Sequence, residues 1–313
     1  MKGYIANTDY DWYSYLKQQT DLDEVNFWQP SGQRQFKAID KFEPFFFKLK
    51  SPHYAIGGFG YFVHSSIIPA RLAWDTFDRA NGAADFETMR ARIEKYRKPV
   101  KRDPRGEYVI GCIMVTQPIF FSESNWIPQP KDWGRETVQG ATYDLAQGEG
   151  KRIWEECKLH AQLQQYKAVS LAGAGVHKEE SPRYGEPVFV TPRLGQGTFR
   201  IEVLDAYGRA CAVTTEHTLP VLEAAHIKPY AHGGEHTVSN GLLMRSDIHA
   251  LFDRGYVTVT PEHRFEVSRR LKQDFDNGKS YYPLDGKRIQ LPDRKMDHPD
   301  PALLEWHNQR VFR

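Results

Sequence analysis

Apolar and polar positions in the first half of the chain follow two different periods. "PFFFKLK" (44–50) and "AIGGFGYFV" (55–63) are near-continuous apolar runs separated by the turn-prone "SPHY". That pattern predicts strand, turn and strand, with glycines where backbones approach closely. "EYVIGCIMVT" (107–116) predicts another strand, followed by the Trp- and Pro-rich loop "FFSESNWIPQPKDWG". Helical spacing predicts helices over 8–18, with Thr8 or Asp9 as N-cap, over 72–82, ended by Asn-Gly, and over 85–98 and 150–166.

The stretch 171–187, "LAGAGVHKEESPRYGEP", is small, polar and Pro/Gly-bearing with little periodicity, as linkers are. It sets the expected organisation as a domain over 1–167, a linker over 168–190 and a second domain over 191–313, which a chain of 313 residues can accommodate. After the linker, 197–210 has nearly helical spacing. "LPVLEAAHI", the irregular "PYAHGGEHTVSN", the short "GLLM" and a helix from near Ser246 then read as β, loop, β, helix. The fold class expected is α+β.

Composition narrows this picture. A formal net charge of +2 neither demands nor excludes a polyanionic partner. Cys112, Cys157 and Cys211 are scattered and form no CxxC pair, so neither a disulfide framework nor a cysteine zinc site is indicated. The N-terminus turns polar and acidic too early for a secretory signal, and no apolar run approaches bilayer length. The expectation is a soluble protein of the reducing cytoplasm.

Histidine placement changes the picture further. Five of the twelve histidines fall between His217 and His249. A neutral imidazole can take a proton from water, while a divalent cation beside it polarises a phosphate and stabilises the departing oxyanion. His226 ends the first strand of the β-loop-β-helix unit and His249 lies on its helix. Asp253, four residues later, shares His249's face.

The segment "LEAAHIKPYAHGGEHTVSNGLLMRSDIHALFDRG" resembles the HNH endonucleases, in the "AHI" around His226, the "SNGLL" around Asn240 and the "SDIHALFD" around His249. The resemblance covers about 55 residues, roughly 199–255. It implies a ββα-metal unit in which His226 is the general base, Asn240 braces the loop and His249 binds Mg²⁺ or Mn²⁺. Many members carry Asp or His immediately before the base as a second ligand, where this chain has Ala225. Glu223, on Ala225's face by strand alternation, and Asp253 are the two substitutes. Only Cys211 lies nearby, so no structural zinc is expected. His217, His232 and His236 match no motif position and read as loop residues, although His236 could approach a phosphate.

Residues 1–62 hold 16 of the chain's aromatics. "YIANTDYDWYSYL", "VNFWQPSG", "FEPFFFKLK" and "AIGGFGYFV" resemble the EVE domains, PUA-like β-barrels that bind modified bases. That resemblance implies a pocket for a base flipped out of the duplex, for which Asn7, Trp12, Asn26, Trp28 and Ser31 are the expected lining. The basic run 89–106 contributes Arg90, Arg92, Lys95, Arg97, Lys98, Lys101 and Arg102 as expected contacts to the DNA backbone.

Together the two resemblances imply a modification-dependent restriction endonuclease. Its expected partner is double-stranded DNA carrying 5-methyl- or 5-hydroxymethylcytosine. An HNH site cuts one strand, so double-strand cleavage would favour a homodimer or two binding events. Two alternatives stand beside this reading: a nucleic-acid binder whose nuclease unit has lost activity, which Ala225 supports, and a nuclease acting on RNA.

Overall fold

Three consecutive phenylalanines, Phe45, Phe46 and Phe47, are fully buried, which a strand permits only when both faces of its sheet are covered. A computed structural model describes residues 1–97, 108–172 and 194–313, in two units, Met1–Arg193 and Leu194–Arg313. The first contains, in order, β1 (Lys2–Thr8), α1 (Tyr10–Lys17), β2 (Glu24–Gln29), β3 (Pro44–Leu49), β4 (Ala55–Pro69), α2 (Ala70–Phe77), α3 (Phe86–Tyr96), β5 (Val109–Phe120), β6 (Ile127–Pro128), β7 (Gly140–Asp144) and α4 (Gly148–Ala172). Sheet order is β2-β5-β4-β3-β1-β7, with β6 also on β4. Among the described residues only β1 and β3 of this sheet pair in parallel.

The phenylalanines divide between the faces as strand alternation requires. Phe46 packs on Phe59 and on Trp154 of α4, with ring centroids 6.1 and 6.0 Å away. Phe45 and Phe47 turn the other way, to Phe27, Phe120 and Trp12 of α1. A Cβ on Gly58 would sit 2.0 Å from the carbonyl oxygen of Ile119, so β4 and β5 lie this close only because that position lacks a side chain.

Several elements depart from their expected form. The helix over 72–82 is α2 followed by a 3₁₀ turn, Asp78–Asn81, closed by Gly82 at φ +76°. The hairpin strand continues to Pro69. Asp9 occupies the N-cap of α1 without a side-chain cap bond; its carboxylate instead accepts from Lys50 Nζ at 2.5 Å and the Tyr96 hydroxyl at 3.1 Å. Residues 168–172 of the expected linker continue α4, and 173–190 lie outside the described residues. Pairing runs from β2 at one edge to β7 at the other, so the ladder does not show the closed barrel the EVE resemblance implied.

The second unit contains α5 (Gln196–Ala206), β8 (Leu222–His226), β9 (Gly241–Arg245), α6 (Ser246–Asp253), β10 (Val257–Val259), β11 (Phe265–Val267), α7 (Arg270–Phe275) and α8 (Pro301–Arg310). β8 and β9 pair antiparallel with His226 opposite Gly241. A Cβ at Gly241 would meet Val203 Cγ2 at 2.5 Å and the Phe199 ring at 3.1 Å, so its absence lets α5 close onto the hairpin beside His226.

Two buried polar side chains hold this unit together. Asn240, fully buried, accepts from Lys228 N–H at 2.9 Å and donates to the carbonyls of Lys228 and Glu235 at 3.0 and 2.8 Å. One amide thereby satisfies three backbone groups of the loop between β8 and β9. His307 of α8, 2% exposed, stacks on Phe252 of α6 at 3.7 Å. Its Nε2–H donates to the Phe252 carbonyl at 3.1 Å, which can only accept, and Nδ1 lies 2.8 Å from the Thr258 hydroxyl, which also pairs with Asn308 Oδ1. Burial pushes the His307 pKa down to about 4.

Two predictions follow from these side chains. The unfolded state binds more protons than the native one between about pH 6.5 and the His307 value of about 4. The stabilisation is therefore full above pH 6.5 and is lost as pH falls through that window. Unfolding the full chain at pH 7.5 and pH 5 should give a stability loss about 2 kcal/mol smaller for His307→Gln than for the wild type; equal losses would show that His307 titrates normally. Asn240→Asp keeps the acceptor for Lys228 N–H but turns oxygen towards two carbonyls. It should lower stability by roughly 2–4 kcal/mol and speed amide exchange across 228–240, and unchanged denaturant unfolding would show that the clamp contributes nothing.

Candidate functional site

The C-terminal end of β8 presents His226 half-buried between two rings. Its imidazole stacks on Phe199 of α5, with centroids 3.9 Å apart and planes 15° apart. Its Nε2 lies 2.9 Å from His236 Nδ1. The His236 ring stacks in turn on Tyr230 at 5.1 Å and 2°. Burial first, then the nearby imidazoles of His236 and His249, pushes the His226 pKa down to about 4. The ring is therefore neutral near pH 7, the form in which an imidazole accepts a proton.

Across from it, α6 carries His249 between two carboxylates. His249 Nδ1 is 2.7 Å from Glu223 Oε2 and Nε2 is 3.4 Å from Asp253 Oδ2. A carboxylate accepts, so Glu223 fixes the ring proton on Nδ1 and leaves the Nε2 lone pair towards Asp253. A metal-binding imidazole commonly has its second nitrogen held in this way. Nε2 and Asp253 form a two-donor fork of the right chemistry for a divalent cation that keeps water and phosphate oxygens as further ligands. Glu223 and Asp253 lie on opposite ring nitrogens, and among the described residues no three His, Cys, Asp or Glu side chains converge to hold a metal ion. Ala225 is fully buried, whereas Glu223 on the same strand face reaches His249.

Among the histidines outside the motif, the structure brings His236 into the site and leaves His232 beside Trp306. The signal for His236 was weak in sequence, because a loop residue ten positions from His226 has no fixed spacing to it. Asn240 touches the loop backbone at Lys228 and Glu235. A depression of about 510 Å³ around Ser268, Arg269, Asp285 and Arg313 shares no residue with this cluster.

In the first unit, a cavity of about 310 Å³ is walled by Asn7, Trp12, Trp28 and Ser31, together with Asp9, Phe27, Gln29, Lys50, Tyr96 and Gln139. Asn26 is not on its wall: its side chain is fully buried and donates to Asn81 Oδ1 at 2.9 Å. Trp12 and Trp28 are 3% and 8% exposed, so each is a core ring of which little reaches the cavity. Asn7 is already engaged, accepting from Lys48 Nζ at 3.0 Å and donating to Thr137 O at 2.8 Å. Asp9, Lys50 and Tyr96 were not legible as lining, since they come from three distant segments.

Among the described residues, the basic run that begins on α3 is largely tied into the fold. Arg90 pairs with Glu87 and Glu94 at 2.6 and 3.5 Å. Arg92 donates to Gly82 O, and Arg97 to Pro30 O and Val109 O. Lys95 lies by the Tyr96 ring. Lys98, Lys101 and Arg102 lie outside the described residues. No helix among the described residues is long and apolar enough to cross a membrane.

Residues 211–260 match the family described as "HNH endonuclease". No curated protein matches the chain. A solved structure described as "Modification dependent TagI restriction endonuclease" aligns with 99% of this chain and 81% of its own at 14% identity. Its TM-score of 0.27 is too low for that likeness to bear on fold or function. Residues 211–260 are an HNH endonuclease domain, and the chain that carries them is a nuclease.

Proposed function

We propose that the chain is a modification-dependent restriction endonuclease, in which the first unit reads a modified cytosine in double-stranded DNA and the HNH domain hydrolyses a nearby phosphodiester. The observation that carries the hydrolytic part is a neutral His226 held near His249 in an HNH domain. His226 takes a proton from water as the resulting hydroxide attacks phosphorus. His249 and Asp253 would hold the divalent cation, Mg²⁺ or Mn²⁺, which supplies positive charge to the phosphate and the departing oxyanion. Glu223 orients His249 from the opposite nitrogen, a role we prefer to direct ligation.

The recognition part rests on the cavity of about 310 Å³ in the first unit. Apolar ring atoms with a few fixed polar groups suit a flipped base. The wall residues Asn7, Trp12, Trp28 and Ser31 support the EVE reading. 5-Methyl- or 5-hydroxymethylcytosine is the ligand this reading names. With one strand cut per HNH site, double-strand cleavage would take a homodimer or two binding events.

Three otherwise identical plasmids, unmodified, 5-methylcytosine-containing and 5-hydroxymethylcytosine-containing, test the proposal in Mg²⁺ or Mn²⁺. Cutting should be confined to one or both modified plasmids, and equal cutting of all three would remove the reader role while leaving the nuclease. His226→Ala should lower the cleavage rate by about 10²–10⁴-fold with DNA affinity retained; cutting at the wild-type rate would remove His226 as base. Mn²⁺ titration by calorimetry should show weaker binding for both His249→Ala and Asp253→Ala, and unchanged affinity in both would place the cation elsewhere.

A further inference from the structure

We propose that His236 is a positioning residue for His226, holding the base in the tautomer whose Nδ1 lone pair is available to water. The proposal rests on the reading of His226 as the base, and it extends the site to a loop residue outside the HNH motif.

Geometry fixes the pair. His226 Nε2 and His236 Nδ1 are 2.9 Å apart, and the two rings meet edge-on at 5.0 Å and 62°. Phe199 pins the His226 ring from one side, and the Tyr230 ring lies parallel to His236. Asn240 Nδ2 donates to the carbonyl of Glu235, the residue immediately before His236. The clamp that closes the loop therefore also places its second imidazole.

Two neutral imidazoles facing each other through one nitrogen each share a single hydrogen. If His226 carries it on Nε2, His236 Nδ1 accepts and His226 keeps its lone pair on Nδ1. Among the described residues that nitrogen has no hydrogen-bond partner. Without His236, a neutral His226 can place its proton on either nitrogen, and the Nδ1–H form cannot accept at Nδ1. In the step itself, the water O–H bond breaks and its proton goes to His226 Nδ1. The hydroxide oxygen bonds to phosphorus, and the leaving oxygen departs with the electron pair of the broken P–O bond. The hydrogen on Nε2 stays in place, and its bond to His236 becomes charge-assisted as the ring turns imidazolium. The buried aspartate of a serine-protease triad fixes its histidine's tautomer in the same sense, with a carboxylate in place of a neutral ring.

The test compares full-length wild type, His236→Leu and His236→Asn. Leucine removes the acceptor, whereas asparagine presents an amide oxygen near the former Nδ1. Expected results are a fall in kcat of about 10–100-fold for His236→Leu with KM unchanged, and recovery of most of that loss in His236→Asn. Imidazole ¹⁵N NMR of the metal-free wild type should show His226 as the Nε2–H tautomer, with the Nδ1–H form gaining population in His236→Leu. A wild-type kcat in a folded His236→Leu, or an Nδ1–H tautomer of His226 in the wild type, overturns the proposal. Should His236→Leu fail to fold, the wild-type tautomer and the His236→Asn rate still decide it. The base assignment fails separately: His226→Ala that cuts normally refutes it whatever the tautomer, whereas a dead His226→Ala beside a fully active His236→Leu refutes only the role of His236.

Discussion

The nuclease unit depends on a single buried amide. Asn240 must satisfy Lys228 N–H, Lys228 O and Glu235 O at once, because the loop that carries them has no ladder to supply partners. While it does so, β9 begins at Gly241 directly opposite His226, α5 can approach closely enough for Phe199 to stack on that imidazole, and His236 is brought to it. Without the clamp the backbone groups would turn to water, and the two imidazoles would lose their common frame.

The helix bearing His249 is secured differently. α6 is held from behind by α8, through the stack of His307 on Phe252 and the hydrogen bond to the Phe252 carbonyl. From the front, Glu223 fixes the His249 ring proton. His307 and His226 are both held neutral, one to support a helix and the other beside the open end of a strand. Burial lowers both pKa values. What separates their roles is the number of ring nitrogens engaged among the described residues: both in His307, and only Nε2 in His226.

In the first unit the aromatic residues serve the core before anything else. The sheet is covered on both faces, so Phe45, Phe46 and Phe47 are all buried, and Trp12 is packed edge-on against Phe27, Phe47 and Phe120. The cavity is formed at the margin of that core, where Asp9, Lys50 and Tyr96 gather in place of a helix-cap bond. Its apolar wall derives from the packing behind it, and its polarity from residues that packing left at the rim.

Local pattern determined the strands around 44–63, the helices flanking them and the β-loop-β-helix unit around His226, Asn240 and His249. In each of these the informative residues are neighbours in sequence, and backbone periodicity alone sets which of them share a face. Contacts between distant segments lay beyond that reach. Periodicity could not tell that Arg97 would be taken up by the Pro30 carbonyl 67 residues away, that Asn26 would turn into the core, or that Trp12 would be almost wholly buried beside the cavity. Nor could it pair His226 with His236, whose contact depends on a loop path set by three hydrogen bonds to Asn240, or tell that Glu223, placed on the right face by strand alternation, would meet His249 at Nδ1. Residue type carries the chemistry, but a side chain's partner is fixed only when packing has decided which segments meet.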